Sequence, residues 1–289
     1  MWTDNIIFNY KTCKNESSQS YILHENVISL YVVLTNSCNA NCPFCAYNEG
    51  KTSKVDLEIF RKRYKELYDI CRIQMVHFTG GEPTLELDTL KEILSIVKET
   101  DEVTKTSCNT NGSRLKELVG LDKLDNIALS RHHYLDSRNQ ELFCTNVPST
   151  EELKGFKEKK KLHFSCNLIK DYIDSKEELE KYLNFVADIG VNDVGIVSLM
   201  KVNDFCHKHY VDFDSMSVEQ IVNLTKTRCY SNVVKDEVVC HCDNYLYQAK
   251  NMNLLSLYHR HAIKNDTVAD YLVYKNNHIQ QGFNGKIYV

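Results

Sequence analysis

Residues 28–45 read ISLYVVLTNSCNANCPFC, and this stretch decides the fold class. Its first seven residues are mostly apolar and β-branched, which predicts a buried strand. Cys38, Cys42 and Cys45 follow directly in the spacing C-x3-C-x2-C. The pattern therefore predicts a strand whose carboxyl end carries three thiols on one loop.

Similar strand patterns alternate with helix patterns downstream, as far as about residue 226. Helices are predicted after Asp56, from Leu87 and after Ser175, with Gly190 ending the third, and Ser217 can cap a last helix. Six strands that alternate with helices imply parallel pairing and right-handed crossovers, hence an α/β barrel or an open doubly wound sheet. The predicted strands are Ile28–Leu34, Met75–Thr79, Val103–Cys108, Asn126–Ser130, Leu162–Ile169 and Val194–Leu199.

The pattern changes beyond residue 226, where short apolar runs are broken by Asn, Asp and Gly. We therefore expect an N-terminal segment over 1–27, the α/β barrel over 28–226 and an extension of loops and short strands over 227–289. The extension is a candidate for a second cofactor site or for a cover over the substrate.

Composition narrows the class of protein. The 289 residues include 12 cysteines. With 35 Lys and Arg against 39 Asp and Glu, the net charge is −4, and this charge argues against nucleic-acid binding through bulk charge. No secretory signal is visible, and no apolar run reaches the ~18–20 residues of a membrane span. We expect a cytoplasmic chain with reduced thiols, so the cysteines indicate metal binding or catalysis before disulfides.

Two motifs carry the chemistry. The soft thiolates of the cysteine triplet suit zinc, Cu(I) or an iron–sulfur cluster, and a structural zinc site would need a fourth ligand. The second motif, TGGEPT at residues 79–84, follows the next strand. Its glycines let backbone approach a ligand closely, and Glu82 offers a carboxylate to an ammonium group. Each motif alone also has an ordinary interpretation, as core cysteines or as a glycine turn.

Together, the two motifs resemble those of the radical S-adenosylmethionine (SAM) superfamily, with the likeness extending over roughly residues 28–200. The resemblance implies a partial barrel of six βα units and a [4Fe–4S] cluster on Cys38, Cys42 and Cys45. It implies that SAM chelates the open iron and is cleaved to a 5′-deoxyadenosyl radical, with the electron coming from a flavodoxin- or ferredoxin-type donor. Phe44 matches the aromatic position beside the adenine, while Gly80, Gly81 and Glu82 match the segment that holds the SAM amino group.

Other strand ends extend the resemblance toward the molybdopterin-precursor cyclase branch. Thr110-Asn111-Gly112 is similar to the TNG segment of that branch, and Ser130 and Asn167 lie where its members contact SAM. Each of these also fits a plain turn or strand cap. Two positions where the cyclase branch places GTP-binding arginines are Tyr31 and His77 here, and the C-terminal double glycine is missing. GTP cyclisation is therefore not expected.

Several cysteines and histidines lie outside these motifs. Cys229, Cys240 and Cys242, with Cys206 as a fourth candidate, are interpreted as an auxiliary iron–sulfur cluster, as one hydrogen-atom donor or as core residues. Arg131 and His132 at a strand end are candidates for the substrate site, together with Tyr31 and His77. Two histidine pairs are candidates for metal sites, His207 with His209 and His259 with His261. The five scattered cysteines are interpreted as structural: Cys13, Cys71, Cys108, Cys144 and Cys166.

Two classes of function remain open from the residues. The first is a radical SAM enzyme that abstracts hydrogen from a small or nucleotide-like molecule, or that epimerises or cross-links a ribosomal peptide. The second is a non-catalytic iron–sulfur or zinc scaffold. The short segment before the first strand favours a small molecule over a peptide, and the intact Gly80–Glu82 segment favours the enzyme.

Overall fold

The computed structural model describes residues 10–14, 20–23, 27–45, 54–227, 230–234, 237–260, 271–283 and 285–289. Side chains are described for residues 28–45, 54–227, 243–259, 271–283 and 285–289. Within these ranges a single sheet organises the chain, with helices on one of its faces.

The strands are β1 Tyr10–Lys14, β2 Ser20–Leu23, β3 Val27–Thr35, β4 Arg72–Gly80, β5 Lys105–Thr110, β6 Asn126–Ser130, β7 Leu162–Leu168, β8 Asp193–Ser198, β9 Leu224–Lys226, β10 Tyr230–Val234, β11 Glu237–Gln248, β12 Leu254–Arg260, β13 Tyr271–Lys275 and β14 His278–Gln281. The α-helices are α1 Leu57–Tyr68, α2 Leu87–Thr100, α3 Asp136–Phe143, α4 Thr150–Gly155, α5 Lys176–Ile189 and α6 Asp204–Lys208.

The six predicted strands are confirmed as β3 to β8, which pair in parallel in sequence order. Two later strands extend this parallel sheet, β13 beside β3 and β12 beside β8. Among the described strands no ladder joins β12 to β13, so the barrel is open. The sheet continues past β12 through β11 and β10 to the strand pair β1 and β2.

The ends of the chain differ from the sequence prediction. The region after residue 226, expected to hold loops and short strands, contains the 12-residue β11 and two strands of the parallel sheet. They join it because their alternate apolar residues, such as Leu257 and Leu272, are fully buried in the main core. The helix expected after Ser217 is wrong: Val218–Gln220 is a single 3-10 turn, and Ser217 is left-handed (φ 51°) with no side-chain cap.

Local capping explains the main helices. The Asp56 carboxylate accepts hydrogen bonds from the backbone N–H groups of Glu58 and Ile59, and Ser175 caps α5 in the same way. Gly190 ends α5 in the left-handed conformation (φ 87°). These caps confirm the predicted starts of α1 and α5 and the predicted end of α5, and α2 begins at Leu87, as predicted, without a side-chain cap. No helix among the described residues is long and apolar enough to cross a membrane.

The two faces of the sheet differ in polarity. On β3 the alternate residues Ile28, Leu30 and Val32 are buried against the helices, whereas Ser29 and Tyr31 are half-buried on the opposite face. We call this opposite face the inner face. In a parallel α/β barrel the face away from the helices lines the interior, and the active site forms near the carboxyl ends of the strands.

Candidate active site

The cysteine loop leaves the carboxyl end of β3 and folds into a short turn, in which the Cys45 N–H donates to the Cys42 carbonyl at 3.1 Å. Cys38 is exposed, and Cys42 and Cys45 are partly exposed. Burial, followed by the neighbouring Cys45 and Cys38 thiols, raises the pKa of Cys42 to about 12. Burial also raises the pKa of Cys38, and Glu82 and Cys45 add to the rise.

These shifts describe a donor set that needs a cation. Cys38 and Cys42, whose ionisation is disfavoured by burial and by neighbouring groups, become thiolates when a positively charged metal centre neutralises them. Among the described residues no three His, Cys, Asp or Glu side chains are arranged around a single ion, so they offer no closed zinc shell. Three soft ligands on one partly exposed loop fit an iron–sulfur cluster with one iron left open.

The GGEP segment packs directly on the cysteine loop. The Gly81 N–H donates to the Thr35 carbonyl at 2.7 Å, and the Glu82 N–H donates to the Ser37 carbonyl at 2.9 Å. A Cβ atom on Gly80 would lie 2.2 Å from the Thr35 carbonyl oxygen, and one on Gly81 would lie 2.1 Å from that of Ser37. Both positions therefore require glycine because backbone meets backbone there.

Glu82 is buried, with 1% of its surface exposed, and its carboxylate already has several partners. One oxygen accepts from the Thr84 N–H (3.1 Å), the Thr84 hydroxyl (2.6 Å) and the Thr110 hydroxyl (2.7 Å). The other oxygen accepts from the Asn111 N–H at 2.8 Å. These bonds hold the ends of β4 and β5 together. A ligand ammonium would have to share the Glu82 carboxylate with these donors.

Asn111 links the TNG segment to the cysteine loop. Its amide nitrogen donates to the Asn39 side-chain oxygen at 2.9 Å and lies 3.9 Å from the Cys38 sulfur. Its side-chain oxygen accepts from the Ser113 N–H at 2.8 Å. The structure therefore brings the candidates Asn111, Glu82 and Cys38 into one continuous network.

Phe44 lies in an aromatic cluster with two residues from the region after β6. Its ring meets the His132 ring edge-on at 5.0 Å between centroids and the Phe143 ring at 6.5 Å, while His132 stacks on Phe143. The His132 Nδ1 accepts from the Asn167 N–H at 3.1 Å. Burial, then the charge of Arg131, lowers the pKa of His132 to about 3, so this imidazole is neutral.

Arg131 and His132 are buried, 2% and 3% exposed, rather than open at the expected mouth of the cavity. The Arg131 guanidinium pairs with Asp136 and donates to the carbonyls of His133 (3.1 Å) and Pro148 (2.8 Å). Arg131 and His132 do follow the carboxyl end of β6, as predicted. The hydrogen-bond donors of the Arg131 guanidinium, however, are already paired with neighbouring groups of the protein. Arg131 therefore holds the loop after β6 together, and its part in a substrate site stays a prediction.

The other candidates on the strands lie on the inner face. Ser130 and Asn167 are half-buried near the carboxyl ends of β6 and β7. Tyr31 and His77, which are paired neighbours on β3 and β4, stack face to face with 4.5 Å between ring centroids. Tyr31 also meets Tyr271 and Phe283 edge-on.

The second cysteine group is only partly described. Cys229 lies outside the described residues, and Cys240 and Cys242 lie on β11 without described side chains. Cys206 is fully buried, and its sulfur contacts the Phe44 carbonyl at 3.6 Å, so it lies beneath the first cysteine loop. The auxiliary cluster therefore stays a prediction.

One histidine of each predicted pair stacks on a phenylalanine. His209 stacks on Phe205 at 4.2 Å, and His207 is exposed. His259 stacks on Phe213 at 4.0 Å, whereas His261 lies outside the described residues. Within the described residues neither His209 nor His259 is grouped with other His, Cys, Asp or Glu side chains around a single ion.

Two residues near the site were missed by sequence reasoning. The buried Asn139 side-chain oxygen accepts from the N–H groups of His132 (2.8 Å) and His133 (3.1 Å), and thereby shapes the loop after β6. Cys144, interpreted as structural, lies near enough to Cys42 to contribute to its raised pKa. Neither has a signal in the sequence, because both act through the packing of α3 on the cysteine loop.

Comparison with known proteins identifies the family. The family model described as "Radical SAM superfamily" matches residues 32–186, more than half of the chain. A probable GTP 3′,8-cyclase of Sulfolobus acidocaldarius is 29% identical over 205 residues, which cover 67% of this chain and 63% of that protein. A GTP 3′,8-cyclase of Vibrio atlanticus is 27% identical over 216 residues, covering 69% and 63%. The match thus spans less than two thirds of these relatives.

Solved structures show the fold. SuiB of Streptococcus suis bound to S-adenosylmethionine has a TM-score of 0.55 at 19% identity, covering 68% of this chain and 47% of that chain. SuiB bound to precursor peptide SuiA has a TM-score of 0.51 at 19% identity, covering 63% and 41%. These likenesses confirm the predicted fold class, and the family match confirms the resemblance that the two motifs indicated. The chain belongs to the radical SAM superfamily of enzymes.

Proposed function

We propose that Cys38, Cys42 and Cys45 hold the cluster and that the chain abstracts hydrogen from a small molecule bound on the inner face of the barrel. Membership in the family makes a [4Fe–4S] cluster and SAM its cofactors. When bound, the cluster supplies one electron to SAM, which is cleaved to methionine and a 5′-deoxyadenosyl radical. A reductant must deliver that electron, and we expect a flavodoxin- or ferredoxin-type protein.

The observation that carries the proposal is the contact between the cysteine loop and the GGEP segment. Their backbones lie so close that neither Gly80 nor Gly81 tolerates a Cβ atom. A protein that merely carries a cluster does not need this second loop beside its thiols. We propose that Gly80, Gly81 and Glu82 bind the methionyl end of SAM, that Phe44 contacts the adenine, and that Asn111, Ser130 and Asn167 complete the site.

The names of the relatives raise GTP as a substrate, and two residues argue against it. Tyr31 and His77 occupy positions where the cyclase branch places GTP-binding arginines, and here they stack on each other. An aromatic pair lacks the planar, bidentate charge with which arginine holds a phosphate. We therefore propose a reaction other than GTP cyclisation.

The proposal is tested with anaerobically reconstituted protein, SAM and dithionite. Release of 5′-deoxyadenosine is expected, and its absence from a protein with a full iron complement would favour the scaffold alternative. Adding fractionated metabolite extract then identifies the substrate as the compound that loses or exchanges hydrogen. The same assay with GTP, which we expect to remain unchanged, checks the argument from Tyr31 and His77.

A further inference from the structure

Six polar side chains on the inner face of β5, β6 and β7 make no hydrogen bond within the described part of the chain. They lie at alternate positions of their strands, and all but Ser107 are half-buried. Polar groups in such surroundings normally have partners, so these face a ligand or water. The six residues are Ser107, Asn109, Asn126, Ser130, Ser165 and Asn167.

The opposite face of the same strands is different. The Thr106 hydroxyl bonds to the Lys123 carbonyl and to Asp125, and the Thr110 hydroxyl bonds to Glu82. These polar groups toward the helices are thus satisfied by the protein, whereas the six on the inner face are not; on that face His163 of β7 bonds to Asp193. The difference indicates that the inner face is built to meet something other than the chain itself.

Strand register joins the inner residues into one surface. Ser107 lies beside Asn126, and Ser130 lies beside Ser165. Asn109 lies beside Ala128, whose small side chain leaves space at the centre. We call Ser107, Asn109, Asn126 and Ser165 the polar wall, because Ser130 and Asn167 already belong to the proposed SAM site.

The polar wall carries no formal charge. Lys275, on the added strand β13, shares the inner-face alternation of Tyr271 but lies outside the wall. On the inner face of the described strands β3 to β8, Lys and Arg occur only at the first residues of β4 and β5, Arg72 and Lys105. Those positions lie at the edge opposite the cysteine loop, and Lys105 bonds to Asp125 at 3.4 Å. Arg131, the nearest guanidinium to the end of β6, is already paired with Asp136.

We propose that the polar wall binds an uncharged small molecule through hydroxyl and amide groups, and that its neutrality excludes phosphorylated substrates. Serine and asparagine both donate and accept hydrogen bonds, which suits hydroxyl and amide partners. A polyphosphate would lose its hydration against the four wall residues, none of which is a cation that could replace it. This inference rests on the proposed function and names the substrate class of that site.

The test measures binding of GTP and of guanosine, its uncharged counterpart, by equilibrium dialysis against anaerobic holoprotein with SAM. The wild type should bind GTP no more tightly than guanosine. The double variant His77→Arg/Asn109→Lys adds two cations to the inner face and should bind GTP at least roughly tenfold more tightly than the wild type. Thr225→Lys, at an exposed position on β9, controls for added charge and should change nothing.

Two results would overturn the inference. Tighter binding of GTP than of guanosine by the wild type would show that the neutral wall does not exclude phosphates. A folded double variant with no gain over Thr225→Lys would show that the wall does not contact ligands. If the double variant does not fold, the single variant Asn109→Lys, at a half-buried position of the polar wall, decides the same point. Release of 5′-deoxyadenosine in the same wild-type samples tests the proposed function separately.

Discussion

The buried carboxylate of Glu82 accepts a hydrogen bond from the hydroxyl of Thr110 at 2.7 Å, across 28 residues of sequence. The Asn111 N–H donates to the other oxygen of the same carboxylate. Glu82 therefore joins the ends of β4 and β5, while its own N–H holds the cysteine loop through Ser37. The residue predicted to bind SAM is also part of the framework that positions the thiols.

The first prediction concerns this double role. Glu82→Gln places an amide NH2 against buried donors from Thr84, Thr110 or Asn111, and a buried donor without an acceptor costs about 1–3 kcal/mol. We expect the free energy of unfolding to fall by that amount and SAM affinity to fall with it. Urea denaturation and equilibrium dialysis measure the two effects. Weaker SAM binding at unchanged stability would mean that the carboxylate serves the ligand alone.

The second prediction concerns Gly81. A Cβ atom there would overlap the Ser37 carbonyl, so Gly81→Ala must displace the cysteine loop. Iron content after anaerobic reconstitution should fall well below about four atoms per chain, the content of one cluster. Gly155→Ala is the matched control, because nothing lies within 4 Å of the added methyl group. A full iron complement in Gly81→Ala would show that the loop can move without losing its ligands.

Periodicity and capping residues predicted the local structure well. Strands β3 to β8, the cap at Asp56 and the helix end at Gly190 depend on neighbouring residues, which the sequence displays directly. The added parallel strands β12 and β13 were not predicted. Tyr271 pairs with Ser29 across more than two hundred residues, and only the assembled core makes that pairing favourable.

The candidate site shows the same limit. A strand-end position indicated Arg131, but its partner Asp136 belongs to the first turn of α3, and that contact depends on how the loop folds. Likewise, the carboxylate at Glu82 was evident, whereas its donors Thr84, Thr110 and Asn111 come together only in the folded chain. Residue type and position predict that a side chain lies in a site, but they do not predict which neighbouring groups form hydrogen bonds or ion pairs with it.

The third prediction tests the thiol ligands. Cys42→Ala removes one of only three proposed protein ligands, so we expect the iron of this cluster and the release of 5′-deoxyadenosine to be lost. Cys144→Ser is the matched control, since it removes a nearby thiol that lies outside the triplet. It should keep both. Formation of 5′-deoxyadenosine at the wild-type rate by Cys42→Ala would reject the assignment.

The fourth prediction is a pH dependence. The pKa of His132 is about 3 in the folded chain, because burial and then Arg131 oppose protonation, against about 6.5 in the unfolded chain. Between these values the unfolded chain binds the extra proton, so the free energy of unfolding decreases as the pH falls below about 6.5. From pH 7 to pH 5 this single group accounts for a loss of about 2 kcal/mol.

The variant His132→Asn keeps an acceptor for the Asn167 N–H and removes the titration. Its free energy of unfolding, from urea denaturation at pH 7 and pH 5, should decrease by about 2 kcal/mol less than that of the wild type. His278→Asn alters an exposed histidine and should follow the wild type. Equal decreases in all three proteins would show that His132 is protonated in the folded chain.

The last prediction concerns Cys229, Cys240 and Cys242. Cys240 and Cys242 lie two residues apart on β11, a strand that pairs with both β10 and β12. If the three thiols hold an auxiliary cluster, the wild type should contain about eight iron atoms, twice the content of one cluster. Replacing all three by serine should halve the iron and lower the stability of the C-terminal strands, because metal binding contributes folding energy.

The three single variants separate this outcome from hydrogen-atom donation. A donor cysteine would leave four iron atoms in the wild type, and only one of the substitutions would block substrate turnover while 5′-deoxyadenosine still forms. Cys71→Ala, at a buried position on the outer side of the sheet, controls for the loss of a thiol as such. Four iron atoms in the wild type, with all three variants fully active, would leave these residues as core cysteines and confine the chemistry to the loop after β3.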